Sequence, residues 1–179
     1  MRLRRSEWLL LAATLVSDLA FFPVRWAVER QADCEFTAPD MNFPPDRAVH
    51  LAAKACLTGN DAAGLEAFVR LHSLGLDLVF PALLAAAITV LLVRIAESLP
   101  RFFQMRTRAR WAFASILPMS YAQADYAENW NVVWWLKSGD DALLPLISVL
   151  TTLKFAALAV AGAVAAAFLL SALKHKRLL

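Results

Sequence analysis

A chain of 179 residues that is 60% hydrophobic, 18% charged and has a mean hydropathy of +0.53 is too apolar for a soluble domain of this size. Its net charge of +3 is explained by where its basic residues fall relative to a membrane, which leaves no basic surface for nucleic acid. The composition therefore points to an all-α integral membrane protein in a single domain spanning 1–179, with no length left over for a separate globular unit.

A hydrocarbon core needs about 20 residues of helix, and four stretches meet that length, at roughly 8–27, 76–97, 111–131 and 143–173. The first follows Met1-Arg-Leu-Arg-Arg5 and continues through Phe21-Phe-Pro-Val-Arg-Trp26 without a small-x-small cleavage site, so it reads as a retained helix rather than a secretion signal. Asp18, near its middle, reads as structural.

The stretch between the first two segments, about 28–75, carries both cysteines, Cys34 and Cys56. In an oxidising compartment they most simply form one structural disulfide, stabilising by about 3 kcal/mol in the chain-entropy model. A quinone-coupled disulfide-forming protein would need a reactive Cys-x-x-Cys and a second pair, and the sequence has neither. Asp46 sits where it can cap a short amphipathic helix over 46–57, and a second helical stretch begins near Asn60 or Asp61. His50 and His72 lie in this region without metal-binding spacing and read as solvated side chains, so no metal or cofactor is expected.

Basic residues cluster at the amino end (Arg2, Arg4, Arg5), between segments two and three (Arg101, Arg106, Arg108, Arg110) and at the carboxyl end (Lys174, Lys176, Arg177), while acids outnumber bases in the other loops. The positive-inside rule then places both termini in the cytoplasm and the 28–75 loop outside, as in a multi-pass protein of a bacterial inner membrane. The expected architecture is a four-transmembrane-helix bundle with a helical extracytoplasmic loop between helices 1 and 2.

The third segment holds the most expensive residues to leave in hydrocarbon. In Gln123-Ala-Asp-Tyr-Ala-Glu-Asn-Trp130, the side chains of Asp125, Glu128 and Asn129 share one helix face at i, i+3 and i+4. At a rise of about 1.5 Å per residue, Asp125 lies roughly 21 Å and Asn129 roughly 27 Å from the cytoplasmic end near Trp111, in the outer half of the core. Asp77 opens segment two at that level, and Lys154 reaches it from segment four beside Thr151 and Thr152. If the segments pack as a bundle, three acids meet one base, and at least one carboxyl group must be protonated, meet water or hold a cationic group. Ionisable residues at such depth mark a site by default. Asp125 and Glu128 are the candidate pair for acid/base chemistry, and Asp77, Asn129, Lys154 and Trp130 the candidate ligand contacts. The competing reading is an interhelical clamp, each polar contact contributing about 1 kcal/mol.

Trp130, Trp134 and Trp135 read as an interfacial belt more readily than as a cage for a cationic headgroup. On segment four, Ala159, Gly162, Ala163, Ala166 and Ala167 are small enough for close helix approach, within one chain or in a homo-oligomer. No phosphate loop, His-Glu-x-x-His, nucleophile elbow or transporter-type repeat is present.

The series Leu76-Asp-Leu-Val-Phe-Pro81, Asp125-Tyr-Ala-Glu-Asn129 and Leu150-Thr-Thr-Leu-Lys-Phe155 resembles a group of small bacterial four-helix membrane proteins carrying Asp-Leu-x-x-Pro, Asp-x-x-Glu-Asn and Thr-x-x-Lys-aromatic patterns over nearly the whole chain. The resemblance implies the architecture and the importance of Asp77, Asp125, Glu128, Asn129 and Lys154, and no mechanism. In size and in the acid opening segment two, the chain also resembles the four-helix sterol-binding relatives of emopamil-binding protein; its third segment departs from that pattern, and no residue is carried over. The functional expectation is a polar acidic site that binds or modifies a lipid or other lipophilic molecule among membrane lipids. The alternatives are a scaffold or assembly factor acting through the outer loop and a small cation- or proton-coupled transport component.

Overall fold

The computed structural model describes residues 4–59, 63–97, 99 and 105–177, with side chains through residue 171. It is all-helical, with no strand among the described residues. Five helices follow in order: α1 (Arg5–Ala32), α2 (Arg47–Leu57), α3 (Ala63–Ala96), α4 (Thr107–Ser138) and α5 (Leu144–Arg177). Short 3-10 turns occupy Pro39–Met41 and Asp141–Leu143. The expected start of the second loop helix near Asn60 or Asp61, and Arg101, fall outside the described residues.

Among the described residues, three stretches are long and apolar enough to cross a membrane: α1, α3 and Asp141–Ser171, which contains most of α5. The 32-residue α4 is of similar length, but Gln123, Asp125, Glu128, Asn129 and Asn131 lower the hydropathy of its second half. Neighbouring helices pack in the order α1, α3, α4, α5, and α3 also touches α5. The outside of this bundle is apolar: Leu9, Leu15, Phe22, Ile116, Val149 and Leu170 are all exposed. An apolar perimeter this extensive suits contact with lipid rather than water.

Local chemistry sets the helix ends. The Arg4 N–H donates to the Glu7 carboxylate at 2.7 Å, satisfying an amide that the first turn of α1 leaves free. Asp46 caps α2 by accepting from the Ala48 N–H at 2.8 Å, as its sequence position predicts. α4 ends at Gly139, whose φ of 75° lets its N–H return to the Trp135 carbonyl at 2.9 Å.

The segment between the first two long helices is a packed cap. Phe36, Ala38, Ala53 and Leu57 bury against Val28, Phe68, Val132, Trp135 and Ile147, joining the loop to the ends of the bundle. Cys34 and Cys56 form a disulfide with Cα atoms 5.9 Å apart. Lys54 pairs with Asp141 at 2.8 Å and donates to the Gly139 carbonyl at 3.0 Å, tying α2 to the turn between α4 and α5. His50 is fully buried and His72 is 4% exposed, against the expectation of solvated histidines. Since a carbonyl can only accept, His50 Nδ1 donates to the Asp46 carbonyl at 2.7 Å, which lets the ring sit in the cap.

The boundaries drawn from sequence shift in several places, and the expected 111–131 segment is the longer α4, Thr107–Ser138. α1 runs five residues past the predicted 27, to Ala32. The second loop helix continues into segment two as one 34-residue helix, Ala63–Ala96. Its stretch Phe68–Leu76 is π-helical. Near the start of α3, a Cβ on Gly64 would lie 2.5 Å from the Ala32 Cβ, so only glycine permits this crossing with α1.

At the opposite end of the bundle, Arg94 of α3 donates to Glu7 of α1 through Nε at 2.9 Å and to Glu97 through Nη1 at 2.8 Å. The small residues of α5 do not mediate internal packing as a group: Ala159, Gly162, Ala163, Ala166 and Ala167 are exposed, and a Cβ on Gly162 would meet no atom within 4 Å. Ala161 is the buried residue of that stretch, because the face α5 turns to α4 is one position out of phase with the glycine.

Candidate functional site

Two polar clusters lie side by side at the capped end of the bundle. The first is centred on Lys154 of α5, which is 3% exposed. Its ammonium lies 2.6 Å from Glu128 Oε2 and 3.0 Å from Asp125 Oδ1, both on the same face of α4. The Asn129 amide donates to Asp125 Oδ2 at 3.2 Å, and the Thr151 hydroxyl hydrogen-bonds Glu128. One amine is thus shared by two buried carboxylates, with neighbouring polar groups taking up other lone pairs. A buried charge retained in this way depends on its partners rather than on solvent.

The second cluster comprises Asp40, His72 and Asp77, all buried. One potential ligand atom from each lies within 4.8 Å of the others. His72 Nδ1 and Asp77 Oδ2 are 2.7 Å apart, yet off hydrogen-bond alignment, and Asp40 Oδ1 is buried with no hydrogen-bond partner. Aromatic rings hold the imidazole in place: Phe68 stacks on it at 4.7 Å between centroids and Phe21 meets it edge-on at 5.3 Å.

The π-helical stretch explains how His72 and Asp77 meet. On an α-helix, residues five apart are turned about 140° from one another and do not face the same point. Here the Asp77 N–H bonds to the His72 carbonyl, the i to i−5 connection of a π-helix, and the two side chains come together. Asp40 arrives from the Pro39–Met41 turn of the disulfide-pinned cap.

A cavity of about 410 Å³ joins the two clusters. Its polar lining includes Asp40, His72, Asp77, Asp125 and Lys154, while Phe21, Phe80, Leu84, Phe155 and Leu158 contribute apolar walls. Phe22 and Met41, 72% and 63% exposed, also line it, which places its mouth on the apolar perimeter beneath the cap. Asp18 lines the cavity from an exposed position on α1. The result is an amphipathic chamber, apolar over most of its wall, with buried charge from Asp40, Asp77, Asp125 and Lys154 and exposed charge from Asp18 and Arg25.

The structure brings together Asp77, Asp125, Glu128, Asn129 and Lys154, the five polar residues singled out in the sequence. Asp77, Asp125 and Lys154 line the chamber, whereas Glu128 and Asn129 lie behind it, so of the candidate carboxyl pair only Asp125 faces the cavity. Trp130 is not brought to this site. It is 66% exposed and lines a separate surface hollow with Trp134 and Lys137. The tryptophan trio divides, with Trp135 fully buried and its Nε1 donating to Asp141 at 2.9 Å. Asp40 and His72 are the site residues that sequence reasoning missed. Comparison with known proteins adds no relative to this geometry: no family model, curated protein or solved structure matches the chain.

Proposed function

We propose that the chain is a four-span protein of a bacterial inner membrane, with both termini cytoplasmic and the cap outside, that binds an amphipathic lipid or other lipophilic molecule in the capped chamber. The carrying observation is the chamber's construction, a mostly apolar-walled cavity of about 410 Å³ that holds buried charge and has the exposed apolar residues Phe22 and Met41 in its lining beside the exposed Asp18 and Arg25. Ligand cavities are typically about 300–1,000 Å³, mostly apolar, with a few placed polar groups that fix orientation. The acyl or polycyclic part of the ligand lies along Phe80, Leu84, Phe155 and Leu158, and its polar end meets Asp125, Lys154 and the second acidic cluster. In this reading α4 is the fourth span because its polar face is turned into the bundle, where ionisable residues are normally found in membrane helices. Membership in the small bacterial four-helix group carrying the same motif series belongs to the same proposal.

The test is lipid mass spectrometry on protein extracted in mild detergent, comparing the wild type with Leu158→Trp, which fills the wall without touching the polar end. A defined lipophile retained by the wild type and lost from the folded variant is the expected result. Identical lipid profiles from the two folded proteins would remove the reading.

A further inference from the structure

The Asp40, His72 and Asp77 cluster has features that lipid binding does not require. Each of the three is buried, and they come from separate parts of the chain: the cap turn, the π-helical stretch and the start of the regular portion of α3. Asp40 is 4% exposed, and its Oδ1 has no hydrogen-bond partner. A buried carboxylate oxygen left without a donor is costly, and native structures seldom leave one so.

Charge counting locates the deficiency. Lys154 lies against Asp125 and Glu128 and its charge also acts on Asp40, while the cluster of Asp40, His72 and Asp77 contributes no cation of its own beyond the imidazole. A protonated His72 would leave these three groups one negative charge in excess. A dication bound by two carboxylates and a neutral imidazole would balance them. It would also give Asp40 Oδ1 a partner and make alignment between His72 Nδ1 and Asp77 Oδ2 unnecessary, because both atoms would point at the ion instead of at each other.

We propose that Asp40, His72 and Asp77 bind a divalent transition-metal ion of the zinc class, with its remaining coordination position turned to the chamber. One imidazole nitrogen and two carboxylate oxygens form a borderline donor set that suits zinc, whereas magnesium favours near-octahedral oxygen coordination with retained water. Zinc-to-ligand distances of about 2.0–2.1 Å place tetrahedral ligand atoms about 3.4 Å apart. The three atoms here span that value, from 2.7 Å for the closest pair to within 4.8 Å overall, so modest side-chain rotation closes the site. Three protein ligands with one open position is the pattern of zinc sites that act on a bound molecule. The ion would face the polar end of any ligand in the chamber, but its binding does not depend on that ligand.

The test uses full-length protein purified without a histidine tag, stripped with chelator and titrated with Zn²⁺ alone in detergent micelles. Bound zinc is counted by elemental analysis, and affinity is measured by competition with a metal indicator. The wild type is expected to take up one ion per chain, and Asp40→Asn and His72→Gln to bind at least about tenfold more weakly, the lower end of the loss caused even by outer-shell changes at metal sites. X-ray absorption of the zinc-loaded wild type is expected to show one imidazole among nitrogen and oxygen ligands. This measurement decides the matter without the variants should either fail to fold. Failure of the wild type to retain zinc, wild-type affinity in both variants, or a spectrum without imidazole would overturn the proposal. Since no lipid enters the measurement, a negative result leaves the lipophile reading to its own test.

Discussion

The two clusters at the chamber are built from similar residues and solve the problem of buried charge differently. Around Lys154, a cation lies between two carboxylates, and Asn129 and Thr151 supply further hydrogen bonds. Around His72, two carboxylates converge without an ammonium in direct contact, and Asp40 Oδ1 and Asp77 Oδ2 have no hydrogen-bond partner. The first arrangement is what an interhelical clamp requires. The second is what a binding site requires, since the unmet interactions are available to a ligand. Proximity of acids alone does not distinguish clamp from site; the placement of the neutralising charge does.

The contrast is sharpest in its stability consequences. Lys154→Met leaves Asp125 and Glu128 buried without a cation and is expected to destabilise by about 3–5 kcal/mol, measured by reversible unfolding in mixed micelles. Adding Asp125→Asn and Glu128→Gln to Lys154→Met should recover most of that loss, because no charge then remains buried there. Removing the disulfide with Cys34→Ala and Cys56→Ala should cost about 3 kcal/mol and loosen the cap that carries Asp40, detected as faster amide exchange in the cap than around Lys154. Asp40→Asn has the opposite sign: in metal-free buffer it removes the repulsion between the Asp40 and Asp77 carboxylates and should stabilise the fold, by about 1 kcal/mol, the scale of one pKa unit of differential interaction, and the same unfolding assay reads it. A destabilised Asp40→Asn protein would show that the second cluster is another clamp. Trp130→Ala, in the exposed hollow away from both clusters, should change stability by no more than about 0.5 kcal/mol and leave the ligand profile intact.

Much of the first cluster was legible because it obeys α-helical periodicity. Asp125, Glu128 and Asn129 are spaced to share a face, and helix rise places Lys154 at their level. The disulfide was legible from the presence of two cysteines in one loop, and the start of α2 from Asp46 preceding an amphipathic run. The second cluster was hidden for two physical reasons. His72 and Asp77 are five residues apart, a spacing that only a π-helical turn makes adjacent. Asp40 lies in a turn with no periodicity, and its approach to the bundle depends on packing of the whole cap, including Phe36 on Phe68 and Phe43 on Phe155. The outward direction of the α5 small-residue stripe was also unreadable, because close-packing potential on a helix does not specify which neighbour meets it.

The π-helical stretch means that α3 is indexed in two independent parts. Its N-terminal part is fixed against α1 by the Gly64 crossing with Ala32, and its C-terminal part, Asp77–Ala96, is fixed at its far end by Arg94 and Glu7. Between these anchors, each residue inserted or deleted rotates one part against the other by about 100°. Inserting one residue between His72 and Asp77 would therefore swing the aspartate out of the chamber, whereas deleting one would leave an i, i+4 pair that an ordinary α-helix already holds on one face. Chain length in this one stretch, more than the identity of any residue along it, acts as a dial that sets which side chains the membrane helix presents to the cap.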